Sequence, residues 1–312
     1  MIRSLLILCA GHSRALLILG LFVGIGLPGL AARMAPWLPH MVAVLLVITA
    51  FRIGFRDAVG ALQDLKWSLP AVLVLQLVLP LCAVGMFAVF GVSAEPMALA
   101  VILACAAPTI SGGASLALIL RQDPARMMQF LILGTALFPL TLIAVLMTLP
   151  IAIDLRVVLG IALRALIIIL GSAALGFMLR AWLLRRPSAH QIQAMDGAAI
   201  LFFAIIVVGL MAALGPILRN DPMAALTWAV AAFGLSFGLQ TIALFGLGYT
   251  PLRPVSGPLA LAAGNRNIAL FLVTLPPEVM SPLMIFVACW QLPMYLTPIV
   301  LTRLYRLAPA HV

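Results

Sequence analysis

The chain has 312 residues, of which 65% are apolar and 8% charged, and its mean hydropathy is +1.26. Soluble domains carry about 25% charged residues, so the composition excludes a water-soluble fold or an appended soluble domain and marks an all-α integral membrane protein. A net charge of +10 would suit nucleic acid, but the basic residues fall singly in short loops between apolar runs rather than along one stripe, so no nucleic-acid partner is expected.

In chain order, Leu5 to Ala10 is too short for the apolar centre of a cleaved leader and is interrupted by His12 and Arg14. A spanning helix needs about 20 predominantly apolar residues. Ten runs qualify as predicted helices: 15–31, 37–55, 67–92, 97–120, 127–150, 157–184, 197–218, 223–249, 255–275 and 279–302. The first is short and carries Gly24, Gly26 and Pro28, which leaves its end the least defined.

Lysine and arginine accumulate in cytoplasmic loops. With ten crossings, Arg3, Arg14, Arg52, Arg56, Lys66, Arg121, Arg126, Arg180, Arg185, Arg186, Arg253, Arg303 and Arg306 share the side of the termini, against Arg33, Arg156 and Arg219 opposite. The expected topology has both termini cytoplasmic, in the cytoplasmic (inner) membrane. Five helices per half is an odd number, so a duplicated unit enters the membrane in opposite directions. One transporter domain over 1–312 is therefore predicted, with inverted repeats at about 15–153 and 155–303.

Two interruptions occupy matching places in the halves. In the fourth run, PTISGGAS places Pro108, which has no amide donor, before Gly112 and Gly113, which disfavour regular helix, while Thr109, Ser111 and Ser115 supply hydroxyls. In the ninth, AGNRNIA sets Gly264, Asn265, Arg266 and Asn267 in an apolar run. Arginine at bilayer depth costs roughly 2.5–3.5 kcal/mol on insertion scales, so Arg266 needs compensation. Headgroup snorkelling is one alternative for it, and small-residue helix packing is the alternative for the glycines. Paired interruptions are the sequence pointer to a transporter binding site, and the N-termini of half-helices attract anions.

All eight acidic residues (Asp57, Asp64, Glu95, Asp123, Asp154, Asp196, Asp221, Glu278) are read as lying in loops or at helix ends. The partners left for Arg266 are a substrate anion or the exposed carbonyls of the broken helices. Gln76 and Gln240 occupy comparable places in the third and eighth runs and are candidates for a cavity wall, with helix-packing hydrogen bonds as the plainer role. Arg164, two turns inside the sixth run, is expected to snorkel outward. Cys9, Cys82, Cys105 and Cys289 have no metal-type spacing and are read as free thiols.

The plan resembles the bile acid:sodium symporter family and its wider superfamily, most specifically at CAAPTISGGASLALILRQD (105–123) and AGNRNIAL (263–270). The resemblance implies crossed discontinuous helices 4 and 9, a panel of helices 1, 2, 6 and 7, and a core of the other six. Carried over by position, the family's Cys-Pro-Gly-Gly start matches Cys105 and Pro108 loosely, with small polar residues near Ser111 to Ala114. Its Glu, Gln and Asn fall at Ala262, Arg266 and Asn267, of which the Asn alone matches. An Asn expected in the first break is replaced by a small residue at Ala114. The acidic sodium ligand is missing, so Na+ is a possible but doubtful coupling ion, and Arg266 is a candidate substitute for a bound cation.

The functional expectation is a secondary transporter of a small organic solute, preferably anionic, with a non-transporting receptor or scaffold as the alternative. No HExxH, Gly-x-Ser-x-Gly or GxxxxGK[ST] motif occurs, and the four histidines lie outside the runs' interiors, which argues against an enzyme or an ATP-driven pump.

Overall fold

The computed structural model describes residues 2–61, 65–149 and 154–307. Asp64, Pro150 and His311, each part of an expectation above, lie outside the described residues. In chain order the helices are α1 (Ile2–Gly11), α2 (Ser13–Gly26), α3 (Pro28–Ile53), α4 (Phe55–Gly60), α5 (Leu65–Val89), α6 (Pro96–Ala106), α7 (Gly113–Ile119) and α8 (Pro124–Thr148). There follow α9 (Leu155–Leu183), α10 (Ala189–Asn220), α11 (Pro222–Gly248), α12 (Ser256–Gly264), α13 (Phe271–Thr274), α14 (Pro277–Val300) and α15 (Thr302–Leu307). Among the described residues no strand occurs, and seven helices are long and apolar enough to cross a membrane, or eight if bent α1–α2 is one span. This is the architecture of an α-helical multi-pass membrane protein.

Proline sets many of the helix starts. Pro28, Pro96, Pro124, Pro222 and Pro277 each open a helix, where the missing N–H is one that would be unpaired anyway and the fixed φ is already helical. Pro28 corrects the first two predicted boundaries. The chain turns at Leu27 (φ −117°, ψ 68°), and α3 runs from Pro28 through the expected 32–36 loop to Ile53. The start predicted at residue 197 is also corrected, because Ser188 and Gln191 form a reciprocal capping box and begin α10 at Ala189. Asp196 consequently lies inside a helix rather than at its end.

The chain divides into two compact units, Met1–Val59 with Leu166–Leu226, and Gly60–Ala165 with Thr227–Val312. In the first unit, α10 packs on α1, α2 and α3. Gly20 and Gly24 lie against the Ala204 and Val208 carbonyls, the small-residue contact that lets membrane helices approach closely. Arg52 Nε donates to Asp196 Oδ1 at 2.7 Å, and Arg180 Nη1 donates to the Phe51 and Arg52 carbonyls at 2.8 and 3.0 Å. The last turn of α3 is thus capped by a cation where Gly54 (φ +80°) ends it.

In the second unit, α5 and α8 flank the interrupted segments, and a buried cluster including Val72, Met127, Phe130, Leu261 and Tyr305 forms its apolar core. The hairpin from α7 to α8 is locally determined. Gln122 N–H donates to Ala117 O and Arg121 N–H to Leu118 O, a Schellman pair that requires a left-handed residue, here Arg121 (φ 56°). Asp123 then caps α8 by accepting from the Ala125 and Arg126 amides at 2.8 and 3.3 Å.

Candidate functional site

Both interrupted runs break where proline, glycine and asparagine stand. The first leaves helical geometry at Ala107 (φ −63°, ψ 147°), the extended conformation imposed on the residue before Pro108, and resumes at Gly113. The second breaks over 265–267 and re-enters through the short turn Ile268–Leu270 into α13. The two breaks meet. Ile110 N–H donates to Asn265 O at 3.0 Å and Asn267 N–H to Pro108 O at 2.8 Å, which makes Thr109 and Arg266 an isolated antiparallel bridge. Backbone groups that no helix can pair are in this way paired with each other, as non-helical backbone at membrane depth requires.

Arg266 lies at this crossing and is 1% exposed. Its Nε donates to Ala263 O at 2.9 Å, Nη1 to Ala107 O at 3.0 Å and Nη2 to Leu75 O at 2.9 Å. Each acceptor is an orphan for an identifiable reason. Ala107 caps α6, and the amide that would reach Ala263 O, that of Asn267, is bonded to Pro108 O. Leu75 lies in a π-turn, Val74–Val78, in which Leu79 N–H pairs with Val74 O. In that register residue 80 would serve Leu75 O, and Pro80 has no N–H.

The electrostatics close in the same way. The C-terminal end of a helix carries about half a negative charge, and the α6 and α12 ends both point their last carbonyls at one guanidinium. Of the two partners open to Arg266 from sequence, the carbonyls are the ones the fold supplies, and its burial excludes the headgroup position. Trp290 Nε1 donates to Arg266 O at 3.1 Å and fixes the backbone from the α14 side.

The remaining sequence candidates separate into two sets. Gly264, Asn265 and Gln240 are buried in one network. Ser236 Oγ donates to Gly264 O at 2.8 Å, and Gln240 Nε2 donates to Ser236 O and Thr297 Oγ1 at 3.2 Å each. Thr297 Oγ1 reaches Asn265 Oδ1 at 3.4 Å and Tyr305 O–H donates to Gln240 Oε1 at 2.8 Å. Gly264 is required there, since a Cβ would stand 2.3 Å from Ser236 O.

Gln76 donates from Nε2 to Gly134 O at 3.1 Å, beside Pro108, and its Oε1 is buried without a partner among the described residues. Thr109 and Gly113 are buried at the first break. Ser111 and Asn267 are half-buried, while Gly112 and Ser115 are exposed. The Ser111, Ser115 and Asn267 side chains make no hydrogen bond among the described residues, so these are the polar groups a solute could reach.

Thr297, Trp290 and Tyr305 complete the site without having been singled out from sequence, together with Ser236, one of the polar residues the sequence places inside the eighth run. Pro80, one π-turn beyond Leu75, was the available sign for the third carbonyl. The sequence matches no family model and no curated protein.

Proposed function

We infer that this protein is a secondary transporter moving a small organic solute, preferably anionic, across the cytoplasmic membrane by alternating access, with Arg266 as a built-in cation at the crossing of two broken helices. The observation that carries this reading is the three-carbonyl cradle of Arg266, formed by α5, α6 and α12. A buried positive centre holding two interrupted helices together performs the structural task of a bound cation without taking one from solution. In this reading the resemblance to the bile acid:sodium symporter family extends to the plan of the fold and stops at the ion. A sodium ion about 4 Å from the guanidinium would cost roughly 4 kcal/mol at an effective dielectric of 20.

The finer architecture proposed is ten crossings, in two inverted repeats of five, with both termini cytoplasmic and with panel and core domains. What supports it is the division of the chain into 1–59 with 166–226 and 60–165 with 227–312, the partition expected of panel and core. The meeting of breaks at corresponding places in the two halves supports it as well. In transport the cradle travels as one piece, while Ser111, Ser115 and Asn267 contact the solute.

Uptake into proteoliposomes, measured across carboxylates, sulfonates and neutral analogues with and without sodium, tests this. The expected result is saturable uptake of at least one anion that is indifferent to replacing sodium by potassium. Sodium-dependent uptake overturns the built-in cation, and failure of every solute to move while a soluble partner binds tightly favours a receptor.

A further inference from the structure

Of the three carbonyls that hold Arg266, those of Ala107 and Ala263 stand at helix ends, while that of Leu75 lies inside the spanning helix α5. A regular α-helix would give Leu75 O its own partner, the N–H of Leu79 four residues on. That N–H instead reaches back five residues to Val74 O, and Arg266 Nη2 takes Leu75 O at 2.9 Å. Two donors therefore compete for one acceptor. The register of α5 records which of them has it.

Pro80 leaves one carbonyl without its N–H in either register. In the α register the deficit falls on Gln76 O, and the pyrrolidine ring is driven against that same carbonyl. In the π register it moves to Leu75 O, where the guanidinium stands. The π register carries a cost of its own in Gln76, which lies within the turn and is 2% exposed. Its Nε2 donates to Gly134 O at 3.1 Å, and its Oε1 is a buried acceptor without a partner among the described residues. Neither register pairs every group, so a single added donor decides between them.

We propose that Val74–Val78 is a register switch worked by Arg266: π while the guanidinium is seated on Leu75 O, α once it leaves and Leu79 N–H takes its place. One residue corresponds to about 100° of helix turn. Loss of the π-turn thus rotates the two stretches of α5 against each other by about that angle and carries Gln76 off Gly134. Single π-turns inside helices recur at functional sites, and this one packs on α6 and α8 within the same compact unit as the crossing. An anion that drew the guanidinium off Leu75 O would turn α5. That link to a solute rests on the transport reading above, whereas the register is measured without any solute, so either can fail alone.

The test is a thermal double-mutant cycle between Arg266→Gln and Pro80→Ala on the full chain in detergent. With the guanidinium gone α5 takes the α register, in which Pro80 is an ordinary helix-breaking proline. Pro80→Ala should then raise the melting temperature by roughly 6 °C. In the Arg266 background the π-turn already accommodates the ring, so the same change should raise it by less than half as much. A crystal structure of Arg266→Gln should show Leu79 N–H on Leu75 O and Gln76 turned away from Gly134. If Arg266→Gln is not recovered folded, Arg266→Lys, which keeps the charge and loses the fork, takes its place in the cycle. Equal effects of Pro80→Ala in both backgrounds, or a π-turn that persists in the Arg266 variant, overturn the switch. A structural cap that merely stabilises α5 would leave the two changes additive.

Discussion

Replacing Arg266 by Gln removes a fork that serves three carbonyls on three segments, and a glutamine amide can reach one of them at most. Hydrogen bonds to a charged group contribute about 1.5–3 kcal/mol each, so the three lost bonds sum to roughly 5–9 kcal/mol. Relief of the guanidinium's own burial, which costs several kcal/mol, offsets part of this. The net is about 3–5 kcal/mol, the range for breaking a buried charged pair. At roughly 2 °C per kcal/mol for a chain of this size, the melting temperature in detergent should fall by roughly 6–10 °C.

Arg266→Lys should recover only part of the loss, because an ammonium is a point charge without the planar fork. Ala262→Glu combined with Arg266→Gln restores a carboxylate to the vacated crossing. In that double variant the melting temperature should rise on adding sodium, while in wild type sodium should have no effect. An Arg266→Gln protein that melts within about 1 °C of wild type and moves solute normally would refute the cradle as the structural cation.

Gly264→Ala should be severely destabilising, by about 3 kcal/mol or more, because the added methyl would meet the Ser236 carbonyl at 2.3 Å and backbone cannot yield as a side chain can; recovery of folded protein on size exclusion measures it. Tyr305→Phe leaves Gln240 Oε1 buried without its donor and should cost about 1–3 kcal/mol in thermal unfolding. Arg121→Gly relieves a left-handed residue at the end of α7 and should stabilise by about 1 kcal/mol, read as a higher melting temperature with unchanged uptake. Cysteine labelling should find positions near Arg186 on the cytoplasmic side and positions near Glu95 and Glu278 outside.

Composition alone determined that this is a helical membrane protein, because no solvent but lipid accommodates so many apolar residues with so few charges. Local chemistry determined where the regular helices stop. A proline without an N–H at 108, glycines at 112 and 113, and the Gly-Asn-Arg-Asn run at 264–267 cannot continue an α-helix in a medium that supplies no substitute partner. The capping box at Ser188 and Gln191 and the proline at 28 were equally local signals, and hydropathy windows passed over both because they sum apolarity and ignore who donates to whom.

Which groups would complete Arg266 was a tertiary matter. The sequence posed a positive charge without a carboxylate and left two kinds of partner open. The choice fell to carbonyls separated from it by 159 and 191 residues, at Ala107 and Leu75, and these are available only because the two breaks pair antiparallel and α5 takes a π-turn before Pro80. A carbonyl carries no residue identity, since every position has one. No reading of residue types can therefore single out such an acceptor before the fold shows which backbone groups have lost their helical partners.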